Sequence, residues 1–197
     1  MLSTLIELQR LKSLDRTGWV LRGLPPGTES VASHSFGVAA TVMFLADRLT
    51  ASGVSLDMGR TLRMALIHDW AEARIGDMPR TAIPYFGSEV RRAAELKAFA
   101  EIVKGTEQAE DYQELFQDYE QRGSLEAKLV KAADIIDLLV QVLALERAGY
   151  RGLDEFWEVA DVMDFQLDGV AGETVSAMLT ELLSARNDIH NGTNKLS

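Results

Sequence analysis

Apolar residues recur along this chain at three- and four-residue spacing, and two-residue alternation is nearly absent. Leu2, Leu5, Ile6, Leu8 and Leu11 mark a short amphipathic helix. Over residues 15–29 the pattern is cut by Gly18, Gly23, Pro25, Pro26 and Gly27, which predicts a loop. A second helix is expected from Ser30, placed as an N-cap, to about Ala51. A third is expected over 57–75, with Gly76 placed where helices end in a left-handed residue. Pro79 and Pro84 exclude a regular helix until about Ser88. Helices are expected again over 88–104 and 107–122, then a break at Gly123 and Ser124. A long apolar helix follows over 125–148. Gly149 and Gly152 separate it from a segment starting near Leu153, and a last helix covers 173–189. The tail from His190 to Ser197 reads as frayed. The pattern is that of an all-α single domain over 1–197, an irregular helical bundle.

Composition narrows what such a bundle can do. A length of 197 residues fits one domain, and 47% hydrophobic residues are enough to bury a core. The absence of cysteine excludes a disulfide framework, a thiolate metal site and a cysteine nucleophile. The net charge of −10 argues against a broad nucleic-acid surface. It leaves room for a small phosphorylated ligand, which needs only a local pair of cations. No apolar run approaches the ~20 residues of a membrane span. The N-terminus lacks a signal-peptide pattern, so a soluble cytoplasmic protein is expected.

The candidate chemistry lies in four residues. His34 falls in the second helix, adjacent His68 and Asp69 in the third, and Asp134 in the long apolar one. Each sits in a small or apolar stretch. Taken singly, each reads as a hydrogen-bonded core group or an exposed polar residue. Together, two imidazoles and two carboxylates suit one divalent ion; ligand type admits Mn, Fe, Co, Ni or Zn, and Mg completes the candidates. With three histidines in all, and His190 in the polar tail, a His-rich multinuclear site is excluded. Glu72 lies four residues after His68, hence on the same face of a continuous helix. Asp77 follows the helix end. A carboxylate near a metal-bound water is a natural general base or proton shuttle. Without the His-Asp pair, Glu72 would read as a solvated face residue and Asp77 as a turn former. Arg16, in the Gly/Pro-rich loop, offers a fork that fits two phosphate oxygens, with Arg22 in reserve. Trp19 reads either as a loop anchor or as a wall of the ligand pocket.

The order His34, His68-Asp69, Asp134 resembles the HD-domain metal-dependent phosphohydrolases. The surrounding residues are more telling. Arg16-Thr17-Gly18-Trp19-Val20-Leu21-Arg22-Gly23, then Glu29-Ser30-Val31-Ala32-Ser33-His34, look like the N-terminal signature of the YfbR-like 5′-deoxynucleotidases. The match continues through Arg63 to Glu72, Gly76-Asp77, and Glu126 to Asp134, and so covers about residues 5–160. The resemblance implies that His34, His68, Asp69 and Asp134 hold the metal, and that Glu72 and Asp77 serve the hydrolysis. It implies that Arg16 engages the phosphate and that Trp19 shapes the nucleotide pocket. It further implies a homodimer acting on nucleoside monophosphates, with no nucleic-acid polymer and no membrane as partner. One position departs from the family: Ser33 stands where an acidic residue usually precedes the first histidine. Asp137, one turn beyond Asp134, competes for the ligand role, and the motif favours Asp134. Alternatives are an HD phosphodiesterase or triphosphohydrolase, and a non-enzymatic helical binding protein that keeps the metal for structure.

Overall fold

The computed structural model describes residues 1–192. The elements are α1 (Leu2–Leu8), α2 (Thr17–Val20), α3 (Val31–Ala51), α4 (Met58–Ile67), α5 (Glu72–Ile75), α6 (Ile83–Phe86), α7 (Ser88–Val103), α8 (Ala109–Gln121), α9 (Leu125–Arg147), α10 (Asp154–Val162) and α11 (Gly169–His190). No strand occurs among the described residues; one isolated antiparallel bridge joins Asp15 to Ser30.

The centre of the bundle is α9, which lies against α3, α4, α8, α10 and α11. It is apolar around most of its circumference, as a helix packed on several sides must be, and buries Leu129, Val130, Ile136 and Leu139. Ser124 caps it by accepting the Ala127 N–H. Helix α3 turns Val31, Val38, Val42, Leu45 and Leu49 inward, the periodic face of an amphipathic helix. Full burial of each such side chain contributes about 1.5–3 kcal/mol. Ser30 caps α3 through the Ser33 N–H, as expected. Beside the central layer, Phe99 of α7 and Phe116 of α8 stack with centroids 4.1 Å apart.

Several boundaries differ from the periodicity. The helix expected over 57–75 is two helices. Asp57 caps α4, which ends at Ile67. Past it, the Trp70, Glu72, Ala73 and Arg74 N–H groups bond three residues back, which tightens the chain. The apolar period runs through this corner unbroken and so hides it. The expected loop over 15–29 contains α2, a single turn. The Pro79–Ser88 stretch also contains the single turn α6, where Pro84 sits in the first turn and costs no backbone hydrogen bond. Helix α11 begins at Gly169, four residues before the expected start, and closes at His190. Residues 193–197 of the expected frayed tail lie outside the described residues.

Candidate metal centre and active site

Three of the four expected ligands meet where α3, α9 and the corner after α4 converge. One imidazole nitrogen from each of His34 and His68 and a carboxylate oxygen of Asp134 all lie within 4.8 Å of one another. His34 Nε2 is 3.1 Å from Asp134 Oδ1. Asp69 completes the set: its Oδ2 lies 3.1 Å from His68 Nε2 and 3.8 Å from His34 Nε2. The tightened corner is what allows adjacent residues His68 and Asp69 to face one point.

Each histidine is held by its other nitrogen. His68 Nδ1 lies 2.7 Å from the Ala65 carbonyl, which can only accept, so Nδ1 carries the proton. His34 Nδ1 donates to Asp137 Oδ2 at 2.8 Å. His68 Nε2 is buried and makes no hydrogen bond. A donor set of two imidazoles and two carboxylates around such an orphaned nitrogen fits a divalent cation. Burial and the Arg16 charge pull the His34 imidazolium down, and hydrogen bonds to Asp134 and Asp137 overcome them, holding it up at about 9 in the metal-free chain. Burial opposes ionisation of Asp69 and Asp134 too. Their neighbours win: the His68 ring and the Arg16 guanidinium at Asp69, Lys131 and His34 at Asp134, and both carboxyls sit below the usual range.

The expected catalytic carboxylates occupy different situations. Glu72 is buried in α5, lines the same cavity, and leaves Oε2 without a hydrogen bond. Burial, then the charges of Asp69 and Asp77, push its carboxyl well above the usual range. It reaches the site across a corner, not along the continuous helical face expected from its spacing to His68. Asp77 accepts the Thr17 N–H at 2.5 Å, and its backbone carbonyl accepts the Thr17 hydroxyl at 2.7 Å. It thereby ties the end of the α5 corner to the start of α2.

Arg16 stands at that same junction. The Asp15–Ser30 bridge, with Arg16 N–H donating to Glu29 O at 3.0 Å, closes the loop and aims the guanidinium inward. Its Nη1 lies 3.4 Å from Asp69 Oδ2 and 4.0 Å from Asp77 Oδ1. Trp19 is buried; its indole N–H donates to Glu29 Oε2 at 2.7 Å and its ring tilts against Phe156 at 4.6 Å. Arg22 pairs with Glu155 and stacks over Phe156. The cavity over these groups is about 770 Å³ and is walled further by Tyr119, Arg91 and Lys131.

Two contributors were not singled out from the sequence. Lys131 donates to Asp134 Oδ2 at 2.7 Å, and the Tyr119 hydroxyl lies 3.4 Å from the same oxygen. Lys131 lies one turn before Asp134, a signal available in the sequence; Tyr119 comes from another helix and leaves none. Asp137, weighed in the sequence as a competing ligand, bonds His34 Nδ1 and lies outside the cluster of His34, His68 and Asp134. His190 is exposed at the end of α11.

A family model described as an HD domain matches residues 8–162. The chain belongs to the HD-domain family. Among its relatives, a Schizosaccharomyces pombe 5′-deoxynucleotidase is 32% identical over 157 residues, covering 76% of this chain and 75% of the relative. A human 5′-deoxynucleotidase is 33% identical over 138 residues, covering 70% of this chain and 64% of the relative, so the alignment spans just under two thirds of that protein. A conserved hypothetical protein from Pyrococcus furiosus superposes with TM-score 0.80 at 33% identity, over 93% of this chain and 99% of the other. The all-α fold is thus the HD-domain fold, and all four expected ligands lie inside the matched segment.

Proposed function

We propose that this HD-domain chain removes the 5′-phosphate from (deoxy)ribonucleoside monophosphates with the help of one divalent ion. The observation that carries the reading is a pair of buried atoms without a hydrogen bond, His68 Nε2 and Glu72 Oε2, beside the Arg16 guanidinium in one cavity. Relatives named 5′-deoxynucleotidases support the substrate class. His34, His68, Asp69 and Asp134 would hold the ion, which supplies Lewis-acid polarisation of a phosphate oxygen and an acidified water. Arg16 binds the remaining phosphate oxygens, exchanging its weak contact with Asp69 for a bidentate one. Glu72, protonated more readily than an ordinary carboxyl, moves the proton at Oε2 between water and the leaving 5′ oxygen. Asp77 keeps Thr17, and with it Arg16, in place, and stands within reach of the same proton traffic. Trp19 and Phe156 wall the side where the nucleoside lies.

The reading extends to a homodimer working in the cytoplasm. Phe36 and Phe44 stand exposed on the outer side of α3, an apolar surface of the kind copies cover. No helix among the described residues is long and apolar enough to cross a membrane.

The test is phosphate release from deoxy- and ribonucleoside mono- and triphosphates with Co²⁺, Mn²⁺, Mg²⁺ or no ion added. Release from monophosphates, dependent on an ion, is expected. A folded, metal-bound protein silent across the panel, or active on triphosphates alone, contradicts the proposal.

A further inference from the structure

We propose that Asp137 is the positioning residue of the first metal-ligating histidine, and that Gly37 exists to admit it. The inference rests on the reading of His34 as a ligand. Asp134 and Asp137 lie three residues apart on α9 and so share a face. One carboxylate goes to each nitrogen of the same ring: Asp134 Oδ1 to Nε2 at 3.1 Å, Asp137 Oδ2 to Nδ1 at 2.8 Å. The imidazole of His34 is fully buried between them. A ring gripped in this way cannot rotate, and its Nδ1 proton is committed to Asp137, so Nε2 is the atom left for an ion.

The space for Asp137 is made by an absent side chain. Gly37 is three residues after His34 on α3, facing α9. A Cβ there would lie 2.0 Å from Asp137 Oδ1 and 2.6 Å from its Cγ. An aspartate side chain is too short to swing clear while still reaching Nδ1. No positive φ requires this glycine, since Gly37 is helical and absent from the left-handed positions. Its lack of a side chain is therefore explained by the close approach of the carboxylate, at a helix-interior position where glycine is unfavourable by roughly 0.5–1 kcal/mol.

The neighbouring residues sharpen the assignment. Ser33, which precedes His34, is exposed and bonds Ser30 Oγ at 2.9 Å, so it does not hold the ring. The other histidine is held differently, by the neutral Ala65 carbonyl. A carboxylate makes its imidazole a more basic ligand than a carbonyl does. Glu29 closes the same side of His34, with its own carboxylate engaged by the Trp19 indole.

The experiment is Co²⁺ affinity by competition with a chelator, together with the visible spectrum of bound Co²⁺, for the parent, Asp137→Asn, Gly37→Ala and the double variant. Each single variant is expected to weaken Co²⁺ binding about 10–100-fold. The double variant is expected to lose little more, because both changes act on the same contact. Asp137→Asn keeps an acceptor for the Nδ1 proton, so it keeps the test open if Gly37→Ala does not fold. Its bound-Co²⁺ spectrum should shift, which a loss of packing alone would not produce. Parent-like affinity and spectrum in Asp137→Asn overturn the inference, as does an ion ligated by Asp137 itself. A parent chain that binds no Co²⁺ defeats instead the functional reading on which it rests.

Discussion

Helix α9 carries buried charge at two places, and they are built on opposite plans. Toward its C-terminus, Glu146 is buried against Arg186 of α11, which contacts it at 3.0–3.2 Å and also reaches Asp154 of α10 at 2.5 Å. The same guanidinium lies 4.9 Å over Trp157, whose indole N–H is the one unanswered atom there. Every charged atom of Glu146 is met, and the cluster joins three helices. Nearer the middle of α9, Asp134 belongs to a cluster that holds more charge and answers less of it. There Glu72 Oε2 has no hydrogen-bond partner, and His68 Nε2 makes no hydrogen bond although Asp69 Oδ2 lies 3.1 Å away. A buried charge fully met by its partners is architecture. A titratable atom kept dry and unmet costs stability, and it persists where a ligand or a proton will use it.

The difference can be broken from either side. The largest effect is expected from Asp69→Ala. Phosphate release should fall to background and bound metal should be lost, while circular dichroism and the metal-free melting curve stay near those of the parent. An active Asp69→Ala protein would remove the distinction altogether. Next comes Glu72→Gln, which keeps the shape and removes the exchangeable proton. The expected loss in kcat is about 10²–10⁴-fold, the usual worth of a general acid or base. Its stability should change in the opposite sense. Because the folded-state pKa of Glu72 is raised, the folded chain holds its proton more tightly than the unfolded chain does. Stability of the metal-free parent is therefore eroded as pH rises from the ordinary value of 4.5 toward the raised one. Glu72→Gln lacks that slope, so its advantage in denaturant melts should grow with pH above 4.5. A difference that shrinks as pH rises would show that Glu72 is paired after all.

The third change acts on the saturated cluster. Glu146→Ala should destabilise by about 3 kcal/mol, the low end for breaking a buried pair, because Arg186 retains Asp154. In a domain of this size that is roughly 6–12 °C in Tm. Below the transition, kcat should match the parent. A loss of kcat with Tm intact would place the C-terminal cluster in the catalytic machinery and contradict its structural role.

Much of this was legible in the chain, for identifiable reasons. His34, His68 and Asp134 stand in small or apolar surroundings that a charge does not enter without a partner, and they do meet in space. Arg16 was legible because Gly and Pro residues mark its loop, and the Asp15–Ser30 bridge shows how that loop is closed. The corner after Ile67 was not legible: it is made by three-residue hydrogen bonds inside an unbroken apolar period. The different surroundings of Glu72 and Asp77 were hidden as well. Asp77 is occupied by Thr17, sixty residues away in sequence. Asp137 was within reach of periodicity, one turn beyond Asp134, yet its partner and the opening at Gly37 lie on another helix.

The central claim is that His34, His68, Asp69 and Asp134 surround a metal ion, and a crystal structure of the protein grown with Mn²⁺ or Co²⁺ tests it most directly through the anomalous signal. A peak is expected bonded to His34 Nε2 and His68 Nε2, with Asp69 and Asp134 completing the set, at about 2.0–2.2 Å as for comparable N and O ligands. An anomalous map with no peak there, and with His68 Nε2 instead capped by a water or by Glu72, would contradict it.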